Sequence, residues 1–142
     1  MNIYFACSIT GGRDFEPVYQ AIVAALLADG HTVPTAILAS SDVRQLETIV
    51  QPAEVYARDV AWICAADVLI AEVSTPSHGV GYEIGYALGL EKPVLCCYQQ
   101  GRSVSKMLTG NPDPQLSIKP YTTTDEALQI IRAFCKSQQA KL

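Results

Sequence analysis

A carboxylate that follows a glycine- and serine-rich stretch is the first feature of this sequence that could do chemistry. Glu83 stands in the segment 73–89, where it is preceded by Ser77, Gly79 and Gly81. Main-chain N–H groups in such a turn can bind an anion, and a carboxylate can act as a nucleophile. The pattern therefore predicts an anionic nucleophile beside a neutral site that binds an anion.

The residues around Glu83 predict that a strand, a turn and a helix position it. Residues 67–72 form the kind of aliphatic run that is typical of a strand buried on both faces. Helical spacing resumes through Ile84, Ala87 and Leu88, which puts Glu83 in the first turn of a helix. A carboxylate there stabilises the helix by about 0.3–1 kcal/mol. Spacing alone therefore leaves two roles open for Glu83, a helix cap and a catalytic group.

A second polar turn lies near the start of the chain. Residues 2–6 read as a buried strand, residues 7–13 as a glycine-containing loop, and residues 16–29 as a helix. The loop has neither the Gly-x-Gly-x-x-Gly fingerprint of dinucleotide-binding proteins nor the Gly-Lys-Ser/Thr ending of a Walker loop. It is a phosphate-type loop of another kind.

The rest of the chain alternates strands and helices, except for residues 34–50, which we leave unassigned. Further strands are predicted at residues 31–33, 94–98 and 116–121, and further helices at residues 52–65, around 104–108 and after the capping box at 123–126. This alternation predicts an α/β fold, a Rossmann-like (flavodoxin-like) three-layer sandwich with a five-stranded parallel sheet. The first and third strands would be neighbours, so that both polar loops share one crevice.

A second carboxylate is predicted on the helix 52–65. Tyr56, Asp59 and Ile63 are spaced i, i+3 and i+7, so Asp59 borders the buried stripe of this helix. Asp59 is either a partly exposed helix charge or a group that faces the site, and its spacing does not choose between them.

The composition limits the classes of partner. The 142 residues are 49% hydrophobic and 17% charged with a net charge of -4, which is typical of one globular domain over residues 1–142. A pI of about 5.0 provides no basic surface for a nucleic acid polymer. No apolar run approaches the roughly 18 residues of a membrane span, and the first strand begins at once without a leader. We therefore expect no membrane contact and a cytoplasmic location.

The cysteines and histidines do not indicate a metal site. The five cysteines are odd in number and mostly lie in apolar runs, which favours reduced core residues: Cys7, Cys64, Cys96, Cys97 and Cys135. None of them has the spacing of a zinc-binding pair. We expect no metal and no cofactor.

Five sequence blocks, taken together, resemble the nucleoside 2-deoxyribosyltransferase superfamily, and within it most closely the 2′-deoxynucleoside 5′-phosphate N-hydrolases. They follow the order of the family and span nearly the whole chain: IYFACSITGGR (3–13), RDVAW (58–62), ADVLIAEV (66–73), PSHGVGYEIG (76–85) and GRSVSKM (101–107). Each block is weak by itself, whereas the combination is specific.

The resemblance implies a role for each site residue. It implies that Glu83 attacks the anomeric carbon of a nucleotide, that Asp59 assists positioning and proton transfer, and that Tyr4 supports the pair. It implies that Ser105 enters from the partner subunit of a homodimer, and that the 5′-phosphate is held by the remaining site residues: Ser8, Ile9, Thr10, Gly11, Gly12, Arg13, Ser77 and Gly79. Mammalian-type hydrolases tend to have an arginine at the position of Thr10, so their substrate preference is not transferred to this chain.

The chemistry of N-glycosidic cleavage agrees with these roles. A carboxylate beneath the anomeric carbon stabilises an oxocarbenium-like transition state and can trap the sugar covalently. Each hydrogen bond to a phosphate is worth roughly 1.5–3 kcal/mol, and Ser8, Ser77 and Ser105 are available to make them. We therefore expect hydrolysis of a (deoxy)nucleoside 5′-monophosphate to free base and (deoxy)ribose 5-phosphate. The alternatives are base exchange between nucleosides and a non-catalytic nucleotide sensor.

Overall fold

Four parallel strands form the centre of the fold. A computed structural model of the chain describes residues 1–43 and 49–141. Within these residues one sheet is found, in the order β1-β2-β3-β4, and its strands are β1 (Ile3–Ala6), β2 (Val68–Glu72), β3 (Val94–Gln99) and β4 (Leu116–Tyr121). All three strand pairs are parallel, as predicted.

The prediction of a fifth strand at residues 31–33 was wrong. Thr32 makes only an isolated parallel bridge with Asn2, in which the amide of Ile3 donates to the carbonyl oxygen of Thr32 at 2.8 Å. Pro34 follows almost at once and begins a 3-10 helix, Pro34–Ala39. Since proline has no N–H and restricts the residue before it, the pairing stops after a single residue.

Helices cover both faces of the sheet. They are α1 (Glu16–Ala28), α2 (Pro52–Ala65), α3 (His78–Gly89), α4 (Lys106–Thr109) and α5 (Thr124–Gln139). Alternate strand residues point to opposite faces, so Ile3 and Phe5 join a core with α1 and α5, whereas Tyr4 and Ala6 join a core with α2 and α3. In the described part of the chain, every helix is too short or too polar to span a bilayer.

The register of β1 and β2 brings two loops together. Ala6 pairs with Ala71, so the neighbouring strands end at the same edge of the sheet, as predicted. The loops that follow them touch at Gly11, where a Cβ atom would overlap the carbonyl oxygen of Pro76 and lie 2.9 Å from the Ser8 Oγ. Only glycine leaves room for this contact.

Candidate active site

Glu83 lies in the second turn of α3 rather than in the first. The helix begins at His78 with Ser77 as its N-cap, and the Ser77 Oγ accepts a hydrogen bond from the Val80 amide at 3.4 Å. The first-turn prediction was therefore wrong, because the helix starts further upstream of Glu83 than the serine- and glycine-rich sequence indicated. The cap is Ser77, so Glu83 is left without a capping role.

Tyr4 holds the Glu83 carboxylate from the sheet. Its hydroxyl donates a hydrogen bond of 2.7 Å to the Glu83 Oε1. Tyr4 is almost fully buried in β1, and this burial, together with the charge of Glu83, raises the pKa of Tyr4 well above its usual value. The phenol therefore stays protonated and remains a donor to Glu83.

Asp59 faces the same space from α2. Its Oδ1 accepts a hydrogen bond of 2.8 Å from the Arg58 Nε. The Arg58 guanidinium lies 4.9 Å from the centre of the Trp62 ring, so the ring and the carboxylate both hold this cation. The structure thus resolves the ambiguity of the sequence pattern, because Asp59 lines the cavity that contains Glu83.

The surroundings of Glu83 raise its pKa to about 7. Burial is the largest cause, and the charge of Asp59 acts in the same direction. The hydrogen bond from Tyr4 and the charge of Arg58 oppose it. A carboxyl group with such a pKa is partly ionised near neutral pH, which suits a nucleophile or a base.

The Glu83 cavity has a volume of about 420 Å³, within the range of small-molecule sites. Of the predicted site residues, it contains Glu83, Asp59, Thr10 and Gly79. The other lining residues were not predicted to be part of the site, and most of them are apolar: Val50, Pro52, Val55, Tyr56, Val60, Ile63 and Tyr82. Within the described residues, no cluster of three or more side chains is suited to hold a metal ion.

A second cavity of about 470 Å³ lies against the other side of α3 and is lined there by Val80, Gly81 and Ile84. It brings together Ser77 and Ser105 of the same chain. Ser105 caps α4, and its Oγ accepts a hydrogen bond from the Met107 amide at 3.2 Å. The contribution of Ser105 to a partner subunit stays a prediction.

The predicted phosphate ligands in the loop after β1 differ in how deeply they are buried. Ser8 is fully buried, and its Oγ has no hydrogen-bond partner among the residues that are described. Gly12 has a φ of 138°, which favours glycine at this position. Ile9 is half-buried and Thr10 is exposed. The Ser8 hydroxyl therefore lies beneath the surface of this loop, and Ser8 lines neither the Glu83 cavity nor the cavity that contains Ser77.

Arg13 is turned toward the protein. Its guanidinium donates to the main-chain oxygens of Ser8 and of residues 38–40, at 2.8–3.3 Å. Its Nε forms an ion pair with Glu16 at 3.0 Å. Arg13 thus ties the loop after β1 to the 3-10 helix, and the structure brings it to main-chain carbonyls rather than into either cavity.

Sequence reasoning did not foresee the partners of Glu72. This carboxylate is fully buried at the end of β2 and accepts hydrogen bonds from the Ser74 Oγ and from the Tyr121 hydroxyl, the latter at 2.9 Å. The Ser74 Oγ in turn accepts a hydrogen bond of 2.7 Å from the main-chain N–H of Gln99. Burial raises the pKa of Glu72, and its hydrogen bonds oppose that shift. The network fixes the start of the loop that leads to α3, and the acidic residue ending an apolar run was its only signal in the sequence.

The fold and the site define a Rossmann-like α/β protein that holds two carboxylates and a buried tyrosine beside the carboxyl ends of its parallel strands. The family model described as nucleoside 2-deoxyribosyltransferase matches residues 3–134. The chain therefore belongs to the nucleoside 2-deoxyribosyltransferase family.

Its relatives include proteins from distant organisms. A protein of Methanosarcina mazei, provisionally named 2′-deoxynucleoside 5′-phosphate N-hydrolase 1, is 37% identical over 136 residues, covering 96% of this chain and 84% of the relative. The 5-hydroxymethyl-dUMP N-hydrolase of Esox lucius is 40% identical over 120 residues, covering 82% of this chain and 83% of the relative. The solved structure of Clostridium botulinum CMP N-glycosidase, BcmB, has a TM-score of 0.70 at 17% identity and covers 93% of this chain and 98% of its own. That similarity shows a shared fold.

Proposed function

We propose that this protein is an N-glycosidase that hydrolyses the N-glycosidic bond of nucleoside 5′-monophosphates and releases the free base. The observation that carries the proposal is the position of Glu83, held by Tyr4 at 2.7 Å and facing a cavity that also contains Asp59. The names of the two relatives support it, since both are named as N-hydrolases of deoxynucleoside 5′-phosphates.

Glu83 is the proposed nucleophile. Its ionised carboxylate attacks the anomeric carbon, the bond to the base breaks, and the base leaves with the bonding electrons and takes up a proton. Water then hydrolyses the glycosyl ester, which returns the Glu83 carboxylate and gives the sugar phosphate. Asp59 assists positioning and proton transfer, and Tyr4 keeps one oxygen of Glu83 in place.

The loops that follow β1 and β2 offer hydrogen-bond donors suited to the 5′-phosphate. The Ser77 Oγ accepts from the Val80 amide, which leaves the hydroxyl hydrogen of Ser77 free to donate. The unpartnered hydroxyl of Ser8 and the N-terminal amides of α3 lie in the two loops that meet at Gly11. We propose that the Ser77 hydroxyl and the α3 amides bind the 5′-phosphate, and that Arg13 and the fully buried Ser8 shape the neighbouring loop rather than touching the ligand.

Base release from a panel of monophosphates tests the function. Purified protein is incubated with ribo- and deoxyribonucleoside 5′-monophosphates, and the free base is measured by chromatography, with and without a second base. Release of base is the expected result, whereas a new nucleotide formed with the second base would indicate exchange. Thermal stabilisation by a monophosphate without any release of base would indicate a sensor and would overturn the proposal.

Changing Ser77 should separate phosphate binding from catalysis. In Ser77→Asp the carboxylate can still cap α3 but repels the phosphate, so kcat/KM for a monophosphate should fall by about 100-fold or more. The slow release of base from the unphosphorylated nucleoside should change less than threefold, measured under the same conditions. Ser103→Ala, which alters the same cavity wall, is the matched control, and equal losses on both substrates would contradict the assignment.

We also propose that the protein is a homodimer in which Ser105 completes the site of the partner. Ser105 and Met107 are exposed at the start of α4, with Met107 83% exposed. In Ser105→Asp the new carboxylate should repel the phosphate wherever position 105 contributes. Mixing this variant with Glu83→Gln should restore activity, because the mixed dimer contains one site with both native groups. If the mixture stays as inactive as its parts, Ser105 serves its own chain, and if Ser105→Asp is fully active by itself, Ser105 has no role.

A further inference from the structure

Two tyrosines stand at the open end of the Glu83 cavity. Tyr56 on α2 and Tyr82 on α3 both line it, although they are 55% and 53% exposed. Their hydroxyl oxygens lie 3.3 Å apart and their ring centres 6.1 Å apart. Tyr86 stacks against the Tyr82 ring with a centroid distance of 6.1 Å and an interplanar angle of 28°. These large exposed rings are therefore held in place by one another.

The order of groups in a nucleotide decides which part of it meets these rings. The phosphate loops reach the cavity at Thr10 and Gly79, and the carboxylate of Glu83 lies at its inner end, against buried Tyr4. A sugar with its anomeric carbon at Glu83 and its phosphate at the loops must direct its base away from the loops. The part of the cavity that remains for the base lies between α2 and α3. Tyr56 and Tyr82 stand at its outer end.

We propose that Tyr56 and Tyr82 form the base-binding part of the site, and that their paired hydroxyls let it accept both amino and keto bases. The inference rests on the proposed function and adds to it a substrate range. The rings offer apolar surface for any base, because every base has a π face.

The hydroxyl pair provides hydrogen bonds of either polarity. In the bond between the two hydroxyls either oxygen can be the donor, so one hydroxyl hydrogen remains free and the direction of the pair can reverse. The pair can thus donate to a keto oxygen or accept from an amino group. The neighbouring walls are formed by Val50, Pro52, Val55 and Val60, whose side chains have no fixed donor or acceptor.

The test compares substrates that have a base with a ligand that lacks one. Tyr82→Ala should lower kcat/KM for all monophosphates by about 10- to 100-fold, while the inhibition constant of (deoxy)ribose 5-phosphate should stay within twofold. In the double variant Tyr56→Phe/Tyr82→Phe the rings remain, and amino and keto bases should lose a similar factor of about 10. Tyr98→Phe, in a tyrosine that lines neither cavity, is the matched control.

Each other outcome is decisive. An equal loss of sugar phosphate inhibition in Tyr82→Ala would mean that Tyr82 supports the whole site, and an unchanged kcat/KM would mean that the base lies elsewhere. Loss of only one class of base in the double variant would overturn the claim about reversible hydroxyls. If the wild-type protein releases no base at all, the proposed function fails, and calorimetric binding of monophosphates against sugar phosphate still tests the tyrosines.

Discussion

Replacing Glu83 by glutamine is expected to lower kcat for base release by about a thousandfold or more. The amide has nearly the same shape as the carboxylate and can still accept the hydrogen bond from Tyr4. It carries no charge, however, so it neither attacks the anomeric carbon nor stabilises an oxocarbenium-like transition state. Single-turnover release of base, followed by chromatography, measures the effect. Residual activity within tenfold of the wild type would exclude Glu83 as the nucleophile.

The melting temperature of Glu83→Gln shows whether the variant is folded. The pKa of Glu83 is raised in the folded protein to about 7. Protonated Glu83 therefore makes its full contribution to the free energy of unfolding at any pH below the pKa that Glu83 has in the unfolded chain. That contribution is lost as the pH rises through about 7. At pH 8 the ionised, buried carboxylate therefore destabilises the fold, and Glu83→Gln should melt at a higher temperature than the wild type. Glu54→Gln, in an exposed glutamate in the first turn of α2, should leave activity unchanged and should not raise the melting temperature, because it removes a carboxylate that the helix dipole favours.

The second large effect is the pH dependence of catalysis. Because only ionised Glu83 attacks, kcat/KM should fall by about tenfold per pH unit below pH 7. At pH 5 the protein should therefore retain about a hundredth of its limiting kcat/KM. The pH profile of kcat/KM, measured at subsaturating substrate, shows whether the acid limb lies there.

Two variants should move that acid limb in opposite directions. Tyr4→Phe removes a hydrogen bond that lowers the pKa of Glu83, so the limb should move to higher pH. Asp59→Asn removes a charge that raises this pKa, so the limb should move to lower pH, whatever happens to the maximal rate. Shifts of both variants in one direction would show that the limb reports a group other than Glu83.

The features of the site that follow from the pairing of parallel strands could be predicted from the sequence. Strand periodicity and two glycine-containing loops were enough to predict that the ends of β1 and β2 meet, and the register from Ile3 with Val68 onward confirms it. Tyr4 and Glu83 converge as a consequence of that pairing. The start of α3 could not be read in the same way, because Ser74, Thr75 and Ser77 can each cap a helix, and the structure makes Ser77 the N-cap.

Long-range contacts with the irregular segment were beyond prediction. The oxygens that bind Arg13 come from residues 38–40, in a stretch without helical or strand periodicity. The family resemblance implied that Arg13 helps to hold the phosphate, whereas the structure gives its guanidinium main-chain acceptors and an ion pair with Glu16. Likewise, Glu72 received its partner Tyr121 from β4, which is far away in sequence.

The contact at Gly11 has a practical consequence for engineering. A methyl group there would collide with the Pro76 carbonyl, so any replacement would push apart the loops that follow β1 and β2. The apolar positions 50, 52 and 55, by contrast, line the Glu83 cavity. A mutant library aimed at new nucleobases should therefore randomise these three positions and leave the glycine untouched.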